Sequence, residues 1–284
     1  MAKEKESPEI TNFNDIWYWF LTGEGGERFP WRVRLEQKFN QLLYGLFPGA
    51  PRCLECNLPL AGIGGRIMKP FGMGPASFSP LMCNRCESVA RKEEGGAEIE
   101  LSMLFADVRG STTLAETIPP LEYQKLIQRF YKVTSDVLVQ HYAMVNRLMG
   151  DQVIGLFVPR FAGGEHAKVA IHAAQELLRL TGHGDPAGAW IPVGAGVHTG
   201  KAFVGAVGSK DGVNEIAVLG SAANLAARLS SSAADGELVV SEETAQRAGL
   251  SAEQWESREF ELKGISQPVS VRVYRLVAEV GAAL

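Results

Sequence analysis

Two aspartates, an Asn–Arg pair and four cysteines are the residues of this sequence whose types and spacing could do chemistry. Asp107 closes an apolar run, 99–106, and is followed by Val-Arg-Gly-Ser-Thr-Thr; Asp151 directly follows Gly150 between two short apolar runs. In a sheet, a strand end and a neighbouring hairpin tip can meet at one edge. Two carboxylates brought together repel unless a cation lies between them. Oxygen ligands of this kind suit Mg²⁺ or Mn²⁺. A pair of such ions can activate an attacking oxygen and stabilise a leaving one. Arg109, Gly110, Ser111 and Thr112 supply backbone N–H groups and hydroxyls at a helix start, a natural cradle for phosphate. Further along, Asn224 and Arg228 are four residues apart, so on a helix they share a face. The Arg fork suits phosphate oxygens. Taken singly, each Asp reads as a turn or cap residue and Asn224/Arg228 as a solvated surface pair.

Cys53-x₂-Cys56 and Cys83-x₂-Cys86 flank a stretch rich in Gly and Pro. Two such pairs can place four thiolates around one metal, with structural Zn²⁺ as the first choice and an iron–sulfur cluster as the alternative. A thiol–disulfide switch is a third use. The five histidines show no paired metal spacing, and His198 reads as structural.

The elements that must position these residues follow from the apolar pattern. Residues 13–47 hold two helical stretches separated by Gly23-Glu24-Gly25-Gly26. In the second, Trp31, Val33, Leu35, Phe39, Leu42, Leu43 and Leu46 could line a face that packs on a second copy or on the following domain, or that docks another protein. From Ile99 onward the pattern predicts strands at 99–106, 143–148, 153–158, 192–198, 202–207 and 215–219, with helices from Pro119-Pro120, over 165–180 and over 221–230. Hairpins are expected at Gly150-Asp151 and at Thr199-Gly200. The order βαββαβ predicts an α+β fold, a ferredoxin-like antiparallel sheet with helices on one face, preceded by a small helical and metal-knuckle region. The expected divisions are 1–50 (helical segment), 51–92 (four-cysteine module) and 97–280 (catalytic domain).

The 284 residues carry a formal net charge of -4, are 46% hydrophobic and 21% charged. This balance is that of a globular chain and argues against nucleic acid as partner. No apolar run approaches the ~20 residues needed to span a bilayer, and the first residues lack an apolar signal core. The expected location is the cytoplasm, where cysteines stay reduced.

Four segments, LFADVRGST, RLMGDQVIGLF, VGAGVHTGKAFVGAVGS and VLGSAANLAARL, occur in this order. Together they resemble the class III adenylyl/guanylyl cyclase catalytic domain over about two-thirds of the chain. The resemblance implies that Asp107 and Asp151, with the backbone of Val108, hold two Mg²⁺ or Mn²⁺ ions. It implies that Asn224 orients the ribose, that Arg228 stabilises charge on the transferring phosphorus, and that Lys263 in Glu-Leu-Lys-Gly contacts the outgoing phosphates. It further implies a head-to-tail homodimer with the aspartates and the Asn/Arg pair of each site on opposite subunits.

The sequence departs from the family at the two base-selecting positions, occupied here by Arg147 and Ala217. Adenylyl cyclases typically carry Lys with Asp or Thr there, and guanylyl cyclases Glu with Cys. Arg cannot accept a hydrogen bond, so it cannot replace a Glu that reads guanine N–H groups. It can donate to adenine N1 or to guanine O6. The expected activity is conversion of ATP to 3′,5′-cyclic AMP and pyrophosphate, with a guanylate cyclase or a catalytically silent nucleotide-binding scaffold as alternatives.

Overall fold

The computed structural model describes residues 13–76, 79, 81–92, 95–208, 214–251 and 255–276. The chain divides into two compact units, residues 1–99 with 203–218, and residues 100–202 with 219–284.

The first unit contains α1 (Phe13–Thr22), α2 (Trp31–Gly45), α3 (Gly62–Met68) and α4 (Asn84–Lys92). Helix α1 buries Trp17, Phe20 and Leu21. The large apolar side chains of α2 that were expected to line a packed face are solvent-exposed, from Leu43 at 40% to Leu42 at 71%. Only Tyr44 of α2 is buried. No described helix is long and apolar enough to cross a membrane.

The second unit is built on a sheet whose strands are β1 (Gly95–Val108), β2 (Met144–Met149), β3 (Gln152–Phe157), β4 (Val193–Gly208), β5 (Asn214–Leu219), β6 (Glu237–Ser241), β7 (Glu256–Phe260) and β8 (Val269–Arg275). Strands β1 and β4 run on into the first unit, where β5 pairs with β4. The order is β2-β3-β1-β4-β6-β8-β7. The pairs β1/β3, β2/β3, β6/β8 and β7/β8 are antiparallel, and β4/β6 is parallel. The helices are α5 (Ser111–Thr117), α6 (Pro120–Gln140), α7 (Pro159–Ala162), α8 (His166–Leu180), α9 (Ser221–Ser232) and α10 (Glu242–Arg247).

Period-two alternation decides which side chains meet which helix. Leu104 and Ala106 of β1, Val193, Ala195 and Val197 of β4, and Leu238 and Val240 of β6 share one buried cluster with Phe130 and Leu138 of α6 and Ile171 and Leu178 of α8. Each large apolar side chain buried there contributes about 1.5–3 kcal/mol. Four alanines of α8, Ala167, Ala170, Ala173 and Ala174, are buried, so that helix lies close to its neighbours.

Helix α9 takes the other face, where the sequence pattern had placed no helix. Leu229 of α9 clusters with Val239, Val271 and Val273. On β4 the residues between the apolar ones are Gly194, Gly196, His198 and Gly200. A Cβ on Gly196 would lie 2.2 Å from Ser230 N, one on Gly194 2.9 Å from Ala233 O, and one on Gly200 3.0 Å from Ala222 Cβ. The alternate glycines of VGAGVHTG therefore form the bed on which α9 rests.

The same packing corrects the expected hairpin at Thr199-Gly200. Strand β4 runs unbroken through both residues. Gly150 does adopt the left-handed conformation of a turn, at φ 64°, whereas Gly200 is not among the positive-φ glycines. Its small size serves close approach rather than chain reversal.

Candidate active site and four-cysteine centre

Asp107 and Asp151 meet at the edge of the β1/β3 pair. Asp107 stands opposite Gln152 in the register, so the turn residue Asp151 is its diagonal neighbour. Val108, itself buried, donates its N–H to the Asp151 carbonyl at 3.1 Å. Burial raises the Asp107 pKa; the Arg109 charge opposes this, and the charge of Asp151 and a hydrogen bond to it push the same way. Two carboxylates in such contact suit a divalent cation, which would relieve both their repulsion and their desolvation.

Arg109, expected in the phosphate cradle, is engaged elsewhere. Its Nη2 lies 2.5 Å from Asp107 Oδ2, and its Nη1 donates to the carbonyls of Ser231 at 3.2 Å and Ala233 at 3.4 Å, at the end of α9. Gly110 adopts φ 63° and opens α5, with Ser111 and Thr112 in its first turn. Thr112 is exposed and Ser111 half-buried.

Two tyrosines of α6 face this turn. Tyr131 donates its hydroxyl to the Gly150 carbonyl. Tyr123 and Tyr131 both titrate above the usual range, first from burial and then from the negative charge of Asp151. Neither tyrosine stands out in the sequence, where both fall within an amphipathic helical pattern. Their i, i+8 spacing on one helix was the available signal.

The second constellation lies on α9. Ala222, Ala223, Ala226 and Leu229 are buried while Asn224 and Arg228 are exposed one turn apart, as their spacing requires. Both line a cleft of about 1120 Å³ together with Thr199, Lys201, Glu243 and Lys263. Lys263 thus joins the Asn/Arg pair. Asp107 and Asp151 are not among the residues lining this cleft. His198 forms part of its wall, held by a 2.7 Å hydrogen bond to Ser241, and burial lowers its pKa against the opposing charge of Glu243.

The base-selecting positions lie on strands. Arg147 pairs with Ile154 in the β2/β3 register, and its side chain lies outside the described residues. Ala217 is half-buried on β5.

In the first unit, all four cysteine Sγ atoms lie within 4.8 Å of one another. Cys53 precedes a tight turn that ends at Asn57, whose φ is 62° and whose N–H bonds the Cys53 carbonyl. Cys83 precedes α4, which carries Cys86. The Cys83 N–H points at Cys53 Sγ (3.3 Å) and the Cys86 N–H at Cys83 Sγ (3.4 Å). The Cys53 thiol is lowered to about 7, chiefly because Cys56 hydrogen-bonds to it, and that of Cys83 is lowered chiefly through Cys53; Cys56 and Cys86 are pushed up, first through the same Cys53 contact. Cys56 Sγ and Cys83 Sγ are 3.7 Å apart. Four thiolates at about 2.3 Å from one tetrahedral ion would stand about 3.8 Å from each other. The donor set therefore fits a single metal ion.

The family described as the adenylate and guanylate cyclase catalytic domain matches residues 96–277. The chain belongs to this family. An uncharacterized protein of Mycobacterium tuberculosis is 30% identical to this chain over 184 residues, which cover 63% of the chain and 33% of the relative. A protein of Mycobacterium bovis named adenylate cyclase is 29% identical over 152 residues, covering 52% of the chain and 33% of the relative. The chain thus spans about a third of the length of these relatives. Among solved structures, the guanylyl cyclase Cya2 is 26% identical with a TM-score of 0.55, covering 65% of the chain and 96% of its own. The adenylyl cyclase CyaB from P. aeruginosa shares the fold, at 23% identity and a TM-score of 0.55, covering 66% of the chain and 99% of its own. The mixed α+β sheet with its helices is that of the class III cyclases.

Proposed function

We propose that this cyclase converts ATP to 3′,5′-cyclic AMP and pyrophosphate in a site shared by two copies of the chain, acting in the cytoplasm. The observation that carries the reading is the division of the chemistry into two halves. The carboxylates Asp107 and Asp151 form one half, and the cleft with Asn224, Arg228 and Lys263, which they do not line, forms the other. A head-to-tail pair would bring one copy's carboxylates opposite its partner's cleft.

Asp107, Asp151 and the Val108 backbone would hold Mg²⁺ or Mn²⁺, which when bound lowers the pKa of a coordinated hydroxyl and neutralises phosphate charge. Asn224 hydrogen-bonds the ribose and fixes its 3′-oxygen in line with the α-phosphorus. As O3′ gives up its proton to water, the bond from O3′ to phosphorus forms and the bond to pyrophosphate breaks, the Arg228 guanidinium donates to the phosphoryl oxygens on which charge accumulates. Lys263 supports the departing pyrophosphate. Arg109, Gly110, Ser111 and Thr112 border the phosphates, and Arg109 must first leave Asp107 to reach one.

Arg147 favours ATP because it donates to adenine N1 and cannot accept from guanine N–H groups. Ala217 supplies no polar partner, so discrimination against GTP is weak. A guanylate cyclase is the second reading, since Arg147 can equally donate to guanine O6. Cys53, Cys56, Cys83 and Cys86 hold one structural Zn²⁺. The mutual separation of all four Sγ atoms, within 4.8 Å, favours a single ion over an iron–sulfur cluster, whose two or more irons spread the cysteines further apart.

Incubation of the purified chain with ATP or GTP and Mn²⁺ or Mg²⁺ tests the activity. Cyclic AMP should form faster than cyclic GMP, and Asp107→Ala should form neither. Faster cyclic GMP formation would overturn the ATP assignment, and product from the Asp107→Ala protein would overturn the role of that carboxylate.

A further inference from the structure

We propose that the outward face of α2 rests on the surface of an anionic lipid bilayer and holds the chain there without crossing it. The helix is turned inside out. Its polar side faces the four-cysteine module: Gln41 donates through Nε2 to the Glu55 carbonyl at 3.0 Å, and Asn57 donates through Nδ2 to the Gln41 carbonyl at 3.1 Å. Tyr44, on the same side, is the buried residue of the helix. At about 3.6 residues per turn, Trp31, Leu35, Phe39, Leu42 and the C-cap Leu46 fall on the opposite side in one stripe. All five are exposed, Leu46 to 74%. Ile63, Ile67 and Phe71, on and just after α3, are exposed as well, and Gly64 of α3 is tied by its N–H to the Pro48 carbonyl at 2.7 Å. Exposed apolar side chains gathered in this way mark a surface that something covers.

Charge selects the cover. By the same helical geometry Arg34 and Lys38 flank the stripe on one side and Arg32 on the other, and Glu36, the one carboxylate of α2, lies beyond Arg32. All four are exposed, and Arg66 and Lys69 add exposed cations beside Ile67 and Phe71. Basic charge is thus concentrated where the apolar side chains stand, in a chain whose net charge is -4. A second copy fits this face poorly. Arg32, about 20° round the helix from Phe39, would meet its own counterpart in a parallel pair of helices, and Arg34 and Lys38 would meet theirs in an antiparallel pair. A bilayer with anionic headgroups satisfies both features: the acyl boundary takes the apolar stripe, and the headgroups take the flanking cations, whose alkyl stems lie along it. Trp31, with the Arg32 guanidinium 5.4 Å from its ring centroid, suits that boundary, where indoles concentrate. The 15 residues of α2 extend about 22 Å, short of the ~30 Å hydrocarbon core, so the helix lies flat. The cytoplasmic leaflet of a membrane carries the required negative charge.

The test is co-sedimentation of the purified full chain with vesicles of phosphatidylcholine alone and of phosphatidylcholine with about one-third phosphatidylserine. The chain should bind the anionic vesicles about tenfold or more tightly than the neutral ones. Arg34→Gln with Lys38→Gln should weaken that binding about 25-fold, about fivefold for each cation removed from the surface. Phe39→Ser with Leu42→Ser, at exposed positions outside the core, should weaken it about tenfold or more while leaving Tm unchanged. Leu121→Ser, at an exposed leucine of α6, should alter neither. Binding to neither vesicle, equal binding to both, or binding that survives the Phe39→Ser, Leu42→Ser exchange would overturn the proposal. Sedimentation velocity without lipid identifies the rival: a chain that ignores vesicles, and whose self-association is lost in the Phe39→Ser, Leu42→Ser variant, would assign the stripe to a second copy and overturn the membrane reading.

Discussion

Replacing Gly196 by alanine sets local preference against packing. Glycine inside a strand is unfavourable by about 0.5–1 kcal/mol relative to alanine, so propensity alone predicts a stabler protein. The structure predicts the opposite. The new methyl carbon would lie 2.2 Å from Ser230 N, 2.7 Å from Leu229 C and 2.8 Å from Ser230 Cα, all backbone atoms of α9 with no rotamer to relieve them. Restoring a 3.4 Å contact requires α9 and β4 to part by about 1.2 Å (3.4 − 2.2). Overpacking of this kind costs about 1–3 kcal/mol, or roughly 2–12 °C in Tm for a domain of this size. The larger effect should be on turnover, because α9 carries Asn224 and Arg228, and a displacement of about 1 Å can cost about 10²-fold. Calorimetry and cyclic-nucleotide assays on Gly196→Ala should show both losses. Gly164→Ala, where a Cβ meets nothing within 4 Å, serves as the control and should show neither. A Gly196→Ala protein with unchanged Tm and unchanged kcat/KM would refute the claim that these glycines set the seat of α9.

Other outcomes follow from the same structure. Zinc analysis should find one ion per chain, and Cys53→Ser with Cys86→Ser should abolish it and lower Tm; the absorption spectrum of aerobically and anaerobically purified protein should lack iron–sulfur bands. Arg147→Glu combined with Ala217→Cys should move the preference toward GTP by at least tenfold, measured as the ratio of kcat/KM values, since a carboxylate can accept from guanine N–H groups. Burial lowers the pKa of His166, whose Nδ1 is 2.9 Å from Ser102 Oγ, and of His198. For a base whose folded pKa lies below its unfolded value, the unfolded chain takes up protons first as pH falls. Stability is therefore full above the unfolded pKa, about 6.5, and is lost as pH drops below it. Urea midpoints should fall between pH 7 and pH 5, and the fall should shrink in His166→Asn.

The parts of the fold that were legible in the sequence are those fixed by short-range pattern. Asp107 at a strand end, Asp151 after the turn glycine Gly150 and the shared face of Asn224 and Arg228 follow from local turn chemistry and periodicities of 2 and 3.6, and the pairing of the two cysteine motifs follows from the four thiolates that one metal ion needs. What the pattern hides is long-range. Thr199-Gly200 reads as a turn because a glycine needed for left-handed backbone and one needed for close approach look alike; only the presence of Ala222 above it separates the two. The opposite face was unread for the same reason, since a strand whose second face is glycine shows no second apolar set. Arg109 sits in a phosphate-loop sequence, yet its reach to Ser231 and Ala233 depends on a helix end more than a hundred residues away. Tyr123 and Tyr131 were masked by the apolar face that carries them.

Subunit complementation tests the division of the active site most directly. Asp107→Ala and Arg228→Ala should each be inactive alone. Mixed in equal amounts and allowed to exchange subunits, they should regain about a quarter of wild-type turnover, because half of the dimers are mixed and each mixed dimer holds one intact site of two. Activity that stays at the level of the separate variants after verified exchange, or a monomer that turns over at the wild-type rate, would contradict a site built from two chains.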